Sequence, residues 1–391
     1  MSEVVIVDAV RSAVGKRNGS LAKKHSADLL ADVLTGLFER NPGVDPGAVE
    51  HVIGGCVTQA GMQSGNVART GWLTAGLPLH VPAVTVTVQC GSSQQATTMG
   101  TGMVAGGVAD ILVACGVEVM SGVPMGSAMN KDPYTGEQRS PRYEEFYEVT
   151  SQFQGSELIA KMWNMTRDEL DAFGKRSQDL AAQAWAQDRF AGSIVPVSAP
   201  VADDNGNVVG TKPFDRDEGM RETTLEGLAK LRTNMPDGLH TAGTSSQISD
   251  GSGALLLMTA EKADELGLQP KARIVSSVLV GSDPVPMLTG PIPASQKLFA
   301  KTGLTVDDID VFEINEAFAS VVLAWQKEIK PDPAKVNPNG GAISLGHPLG
   351  GTGAILITKA LYELIRTGGR YGLISMCCGG GLGTGTIIER L

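Results

Sequence analysis

Short apolar runs that end at small residues recur along the chain in two series of the same order. They indicate strands that feed into loops or helices. The first series lies at residues 4–7, 52–53, 84–88 and 111–115, and the second at 273–280, 309–314, 335–343 and 371–377. In both, a Gly- and Ser-rich loop enters a helix-like stretch, and the last run ends in Cys-Gly or Cys-Cys-Gly. This order predicts an α/β fold built from two copies of one unit; chance similarity between α/β segments is the alternative.

The stretch between the two series has a different character. Residues 121–239 are richer in Pro, Asp, Arg and Tyr, and they contain helix-like stretches at 167–189 and 225–231. We therefore expect a separate loop or lid region there. The predicted division is an N-terminal half at 1–120, completed by about 245–268, a covering region at 121–244, and a C-terminal half at 269–391.

The composition is that of an acidic globular protein. Of the 391 residues, 42% are hydrophobic and 19% are charged, which suits two or three packed units. Lys and Arg number 32 and Asp and Glu 42; the net charge of -10 disfavours nucleic acid as a partner and still permits a small anionic ligand. With no signal peptide and no apolar run near ~18 residues, we expect a cytoplasmic protein without a membrane partner. The odd number of cysteines, 5, predicts reduced thiols in the core or at a catalytic site.

Cys90 stands between a strand-like run and a helix-like stretch, at a predicted helix N-terminus. A free thiol is only a few per cent ionised at neutral pH. A helix terminus contributes at most ~2 kcal/mol, which brings the thiol to roughly half ionisation. A nucleophilic Cys90 would therefore need a nearby base. On position alone, a small buried core cysteine is an equally good interpretation.

Three segments of the second series carry further candidates. His347 lies in a glycine-rich turn at 340–354, where a satisfied loop histidine is the alternative. Glu-Ile-Asn-Glu-Ala-Phe-Ala at 313–319 and Met-Cys-Cys-Gly-Gly-Gly-Leu-Gly-Thr-Gly at 376–385 follow the same order as in one known family. With the Cys90 loop, these segments resemble the thiolases, and the resemblance extends from Arg11 to Gly385.

The resemblance implies a fold and a set of catalytic roles. The fold would be two βαβαβαββ halves in an α-β-α-β-α layering. Cys90 would carry the acyl group, and His347 would activate it and help to bind the thioester oxygen, facing a water held by Asn315. Cys377 would be the second catalytic thiol; it is preferred to Cys378 because the family spacing is Cys, any residue, Gly. The amides of Cys90 and Gly379 would bind the oxyanion.

The resemblance also implies how coenzyme A (CoA) is held. Ser246 would meet the pantetheine arm, Met287 and Phe318 would line the channel, and Arg221 would contact CoA, with a solvated surface charge as the alternative for Arg221. The region at 121–244 would cover this site. We expect CoA and acyl-CoA as substrates, no metal or permanently bound cofactor, and a homodimer or a homotetramer.

The implied reaction is cleavage of 3-ketoacyl-CoA by CoA, or the reverse Claisen condensation, in a ping-pong mechanism through acyl-Cys90. Two features depart from many thiolases. Thr87 and Ser93 replace Asn and Gly, and Ser-Gln-Phe at 151–153 replaces the His-Met-Gly loop of acetoacetyl-CoA-forming members. The second departure weakens the interpretation as a biosynthetic acetyl-CoA acetyltransferase, which is the alternative. The loops at 90–96 and 244–250 resemble those of bacterial thiolases that act on steroid-derived or other large 3-ketoacyl-CoAs, and this resemblance implies a bulky acyl group.

Two further alternatives are a related condensing enzyme with the same duplicated fold and a binding protein from a different class. A ketoacyl synthase would need Cys with two histidines, but only His347 lies in a matching loop and Asn315 occupies the other place. A catalytically silent CoA or lipid binder would be expected to lose the nucleophile or the base, and both residue types are present. A serine hydrolase elbow and paired zinc-ligand spacings are absent from the sequence.

Overall fold

The fold is organised around one large mixed β-sheet flanked by helices. A computed structural model of the chain describes residues 2–129, 136, 138–203 and 205–391. The strands are β1 (Val4–Arg11), β2 (Gly15–Lys16), β3 (His51–Gly55), β4 (Ala83–Val86), β5 (Ile111–Val119), β6 (Val197–Ala202), β7 (Val208–Phe214), β8 (Ser249–Thr259), β9 (Ala272–Gly281), β10 (Val311–Ile314), β11 (Tyr371–Cys378) and β12 (Leu382–Arg390). The helices are α1 (Ser26–Glu39), α2 (Val67–Thr74), α3 (Ser92–Ala105), α4 (Gln152–Met162), α5 (Arg167–Ala186), α6 (Leu225–Ala229), α7 (Ala260–Glu265), α8 (Pro291–Thr302), α9 (Ala319–Ile329) and α10 (Thr352–Thr367).

The sheet repeats one pairing pattern in its two halves. Its strand order is β10-β11-β12-β9-β1-β8-β5-β3-β4. Strand β3 is parallel to β4 and β5, and β5, β8 and β1 are antiparallel neighbours. In the other half β10 is parallel to β11, the pairs β11-β12 and β12-β9 are antiparallel, and a single parallel bridge from Phe312 to Val336 takes the place of β3-β4. The two halves meet where β1 pairs with β9. The predicted duplication is confirmed.

The apolar side chains of the sheet are divided between its two faces. Along β1, Val5 and Val7 join a core that contains α1 and α2, whereas Val4 and Ile6 join a second core that contains α3 and α10. Strands β11 and β12 contribute to this second core from the other half, while α8 and α9 pack in a third core. Helices α3 and α10 therefore lie between the two halves of the sheet, which is the predicted α-β-α-β-α layering.

Two predicted elements differ from the structure. The run at 335–343 is not a strand: a short 3-10 turn at Pro333–Lys335 is followed by the bridge at Val336 and then by turns. Conversely, β12 follows directly after the glycine run and was not predicted, because its glycines mask an otherwise alternating strand pattern. Glycine fits in this strand because β12 lies between β11 and β9, and neighbouring atoms already occupy the space that a side chain at these positions would need.

The middle of the chain contains α4, α5, α6 and the hairpin β6-β7. The predicted helices at 167–189 and 225–231 are confirmed as α5 and α6, with slightly earlier ends. Thr166 and Glu169 form a capping box that begins α5. Residues 130–135, 137 and 204 of the predicted covering region lie outside the described residues. Among the helices that the structure describes, none combines the length and apolarity needed to cross a membrane.

Candidate active site

Cys90 lies in a tight turn between β4 and α3. Gln89 adopts a left-handed conformation, with φ 49°, which non-glycine residues rarely adopt. The turn is held by Ser92, whose hydroxyl donates to the carbonyl of Gln89 and accepts from the amide of Val88 at 3.0 Å. Strain of this kind persists only where the surroundings fix it, and here it places Cys90 at the N-terminal end of α3.

The turn that contains Cys90, here called the nucleophile turn, packs directly on the C-terminal half of the protein. A Cβ at Gly91 would lie 2.6 Å from both the sulfur of Cys378 and the methyl carbon of Thr384, so only glycine fits there. The amide of Gly379, which follows β11, lies near the sulfur of Cys90 and, together with the amide of Cys90 itself, lowers the pKa of that thiol. The structure thus brings together Cys90 and Gly379, two residues that the sequence separates by most of its length.

His347 and Asn315 form the second part of the site. The side-chain amide of Asn315 lies 3.3 Å from Nε2 of His347, and Nδ1 of His347 lies 2.7 Å from the hydroxyl of Thr352. Because Thr352 donates its proton to the carbonyl of Pro348 at 2.8 Å, its oxygen accepts from Nδ1. This assigns the proton of the neutral ring to Nδ1, so Nε2 is the basic nitrogen, and its lone pair accepts from the side-chain NH2 group of Asn315. Among the described residues, the other side-chain atom of Asn315, Oδ1, is buried without a partner.

The site stabilises a neutral thiol and a neutral imidazole. Burial raises the pKa of Cys90 to about 11, against the opposing effect of the Gly379 and Cys90 amides. Burial also lowers the pKa of His347 to about 4. The expected half ionisation of Cys90 is therefore wrong, because loss of hydration outweighs the helix terminus. A thiolate would form only as its proton moves to a base during the reaction.

Cys377 and Cys378 both lie close enough to Cys90 for charge on one thiol to raise the pKa of the other. Their surroundings differ because successive strand residues face opposite ways. Cys377 lies in the same core as Met287 and Phe318, whereas Cys378 lies beneath the nucleophile turn, in the core between α3 and α10. The structure thus places the predicted second thiol, Cys377, in the same apolar core as the predicted channel walls.

The four predicted CoA contacts fall into two places. Arg221 lines a cavity of about 400 Å³ together with Leu228, Gly243 and Gln247. Its guanidinium lies 3.4 Å from the side-chain oxygen of Gln247. Ser246, next in sequence to Gln247, is half-buried, and its amide donates to the carbonyl of Ala317 at 2.9 Å.

Met287 and Phe318 are buried deeper, on the side of Cys377. Met287 adopts a left-handed conformation with φ 60°, and Phe318 meets the rings of Phe153 and His240 edge to face at 5.7 and 5.5 Å. A larger cavity of about 630 Å³ runs along α4, and none of the predicted site residues lines it. We therefore base the chemistry on the surroundings of Cys90.

Sequence reasoning missed Glu118, which links the two halves beside the site. This buried carboxylate accepts from the amides of Val57 and Thr58, from the side chain of Gln63, and from the amide of Gly350 in the His347 loop, at 2.8 to 3.0 Å. Burial raises its pKa, and these hydrogen bonds oppose that effect. Because every partner is a donor, the ionised form fits this environment. Its sequence signal was a lone carboxylate in an otherwise apolar strand.

The buried neutral His347 predicts a loss of stability at acidic pH. Burial lowers its pKa to about 4 in the folded chain, against an ordinary value of 6.5 for a histidine in water. As pH falls below 6.5, the unfolded chain takes up the proton first, so stability that is present at pH 7 is lost towards pH 4. Between pH 7 and pH 5, the unfolding free energy of the wild type should fall by about 2 kcal/mol more than that of His347→Gln. Urea titrations of both chains at the two pH values measure this difference; equal losses would show that His347 is not held neutral.

Comparison with known proteins places the chain in a family. The model of the thiolase N-terminal domain matches residues 4–261, and that of the thiolase C-terminal domain matches residues 268–390. The chain therefore belongs to the thiolase family, and it is an acyltransferase. The predicted family, fold and enzyme class are confirmed, and the silent-scaffold alternative is left without support. Within the described part of the chain, no group of three or more His, Cys, Asp or Glu side chains is arranged to hold a metal ion.

Individual relatives match over the full length. A steroid 3-ketoacyl-CoA thiolase of Mycobacterium tuberculosis is 50% identical, with 100% of this chain and 95% of the relative covered. A β-ketoadipyl-CoA thiolase of Acinetobacter baylyi is 40% identical, with 100% of both chains covered. The crystal structure of an acetyl-CoA acetyltransferase of Bacillus anthracis superposes with a TM-score of 0.91 at 37% identity, covering 100% of this chain and 99% of that one.

Proposed function

We propose that this thiolase cleaves 3-ketoacyl-CoA with CoA, through an acyl-Cys90 intermediate, and that its natural acyl group is bulky. The observation that carries the reaction is the meeting of Cys90, Gly379 and Cys377 in one place, contributed by both halves. A ping-pong acyl transfer needs a nucleophile, an oxyanion site and a separate acid that stays free while the nucleophile is acylated.

In the first half-reaction, Nε2 of His347 takes the proton of Cys90, and the sulfur attacks the 3-keto carbon. The amides of Cys90 and Gly379, which lie near the sulfur and lower the pKa of the thiol, would bind the oxygen of the tetrahedral adduct. The bond between C2 and C3 then breaks, and its electron pair passes into the enolate of acetyl-CoA. Nε2 of His347, and a water bound to the side-chain oxygen of Asn315, which has no partner among the described residues, would face the thioester oxygen of that enolate.

Cys377 completes both half-reactions. Burial raises its pKa well above that of a free thiol, so it holds its proton at neutral pH and can give it to C2 of the enolate. The resulting thiolate takes the proton of the incoming CoA thiol, which attacks the acyl group on Cys90. Release of the shortened acyl-CoA restores the thiol of Cys90 and the neutral imidazole of His347.

CoA would be bound along the 400 Å³ cavity that Arg221 lines. A guanidinium there can pair with CoA phosphate, and the net charge of the chain does not prevent this, because the attraction is local. Ser246 is next in sequence to Gln247, which lines this cavity, and Met287 and Phe318, which share the apolar core of Cys377, would line the path from it to that thiol. Residues 121–244, which contribute Arg221 and Leu228, would form the cover over this site.

The acyl preference is inferred from the loop before α4 and from the relatives. Phe153, which stands where acetoacetyl-CoA-forming members carry glycine, packs its ring on Phe318 and remains 38% exposed. An aromatic wall at this point offers apolar area to a large ring system. The relative at 50% identity is named for steroid 3-ketoacyl-CoA. A polycyclic 3-ketoacyl-CoA from lipid degradation is therefore the proposed substrate class.

Substrate specificity tests this proposal. We expect kcat/KM for a polycyclic 3-ketoacyl-CoA to exceed that for acetoacetyl-CoA by at least about 10-fold. One additional methylene group in an apolar pocket can give a difference of this size, and a polycyclic acyl group makes a larger apolar contact than that. A straight-chain 3-ketoacyl-CoA of comparable size is the control for apolar area alone. Preference for acetoacetyl-CoA would favour the biosynthetic alternative, and preference for the straight chain would assign the enzyme to fatty acid degradation.

We further propose a cytoplasmic homodimer, with a tetramer through the middle region as the alternative assembly. Strand β4 lies at the edge of the sheet, and Val84 in its centre is 42% exposed. An exposed apolar edge strand is a ready surface for pairing with a second copy. Free thiols, including Cys90, are kept reduced in the cytoplasm.

A further inference from the structure

Two adjacent polar side chains at the start of α3 reach across the central layer into the other half of the protein. Ser93 and Gln94 follow the nucleophile Cys90 by three and four positions, and both are fully buried. Buried polar groups are retained only where their hydrogen bonds are made, and both residues are satisfied by partners from the C-terminal half. Neither partner set is used by the reaction described above.

Gln94 connects α3 to β11, the strand that carries Cys377, and to its neighbour β12. Its side-chain nitrogen donates to the carbonyl of Ile374 at 2.9 Å and to the hydroxyl of Thr386 at 3.0 Å. Its side-chain oxygen accepts from the hydroxyl of Thr384 at 2.6 Å. Ile374 lies in β11, three residues before Cys377, and both threonines lie in β12, so these bonds fix the register of the helix that follows Cys90 against the two strands.

Ser93 ties α3 to the loop that carries His347. Its hydroxyl accepts from the amide of Ala354 at 2.9 Å, in the first turn of α10. Amides in a first turn have no partner within their own helix, so Ser93 supplies one from the other half. Ala354 lies two residues after Thr352, which holds Nδ1 of His347. A Cβ at Gly353 would lie 2.2 Å from the amide nitrogen of Gln94, so the two backbones touch here.

We propose that Ser93 and Gln94 are positioning residues. Gln94 sets the placement of Cys90 relative to Cys377, and Ser93 sets the placement of Cys90 relative to His347. This inference rests on the proposed roles of those three residues. Apolar packing between α3 and the opposite half would permit small sliding motions, whereas directional hydrogen bonds to three strand groups and one helix amide fix a single register. A displacement of about 1 Å between reacting groups can cost on the order of 100-fold in rate.

A double-mutant cycle separates positioning from general stabilisation. Gln94→Leu removes all three hydrogen bonds at nearly constant volume. We expect it to lower kcat by at least about 10-fold in the wild type and by less than about 2-fold in Cys377→Ala, because the placement of an absent thiol no longer matters. The matched control is Gln95→Leu, the same change one position on, where the side-chain oxygen has no partner among the described residues. It should change kcat by less than about 2-fold in both backgrounds.

Thr384→Val is a second variant in case Gln94→Leu fails to fold, since it removes one bond of the same set from the other half. Its effect should show the same dependence on Cys377. Ser93→Ala should likewise lower kcat in the wild type and have little effect in His347→Ala. Equal fold-losses in both backgrounds would overturn the positioning role. Full activity of Cys377→Ala and His347→Ala themselves would instead overturn the proposed mechanism.

Discussion

Cys90→Ala should lose thiolysis of 3-ketoacyl-CoA by roughly five orders of magnitude or more. Removing a nucleophile that forms a covalent intermediate costs on the order of a million-fold where it has been measured, because the remaining groups act only through that intermediate. Neither Cys377 nor Cys378 can take the position of the Cys90 sulfur, because both extend from β11 and not from the turn before α3. The rate is followed as the loss of enolate absorbance on addition of CoA.

The matched control is Cys115→Ala, the same substitution at a fully buried thiol in β5, which packs in the core with α1 and α2. This variant should lose some stability, as deletion of a buried side-chain group does, and keep its turnover to within a few-fold. Activity of Cys90→Ala within about 100-fold of the wild type would mean that the covalent route does not pass through this residue.

Cys377→Ala should lower turnover by about 100- to 10,000-fold, while Cys378→Ala should lower it by less than about 10-fold. Removal of a general acid or base has an effect of the larger size, and loss of a packing contact does not. The two thiols are adjacent in β11 and equally buried, so each variant is a matched control for the other. Only their orientation differs, with Cys377 in the core of Met287 and Phe318.

The two variants are compared by their turnover and by their capacity to form acyl-Cys90 in a single turnover. Cys377→Ala should still be acylated by acyl-CoA, slowly, because His347 remains to take the proton of Cys90. The reverse order of effects, with Cys378→Ala the weaker enzyme, would assign the acid to the other thiol. It would also show that the family spacing does not apply to this chain.

The sequence was sufficient for the parts of the fold that depend on local pattern. The two series of apolar runs predicted the duplication, because buried strands and their glycine-rich loops leave a local signal. The sequence was insufficient where glycines interrupt the strand pattern and where a strand-like run forms only a single bridge. Strand β12 contains Gly383 and Gly385 and was missed, and the run before Ile343 was predicted as a strand although only Val336 pairs with β10.

The site shows the same division. The resemblance to the thiolases, carried by the order of the motifs, was enough to select Cys90, His347 and Asn315, and the structure places the last two 3.3 Å apart. The ionisation of Cys90 was wrong in direction, because a sequence shows a helix terminus and does not show how much water the opposite half excludes. The contacts of Ser93 and Gln94 span 261 to 292 positions and depend on how the two halves pack, so no local pattern could reveal them.

The central claim is that the acyl group passes through the sulfur of Cys90. It is tested most directly by incubating the wild-type chain with acyl-CoA, quenching in acid, and mapping the acylated peptide by mass spectrometry. The account predicts an acyl mass on the peptide that contains Cys90, and its absence from that peptide in Cys90→Ala. An acyl group on the peptide of Cys377 and Cys378, or on any other residue, would contradict it.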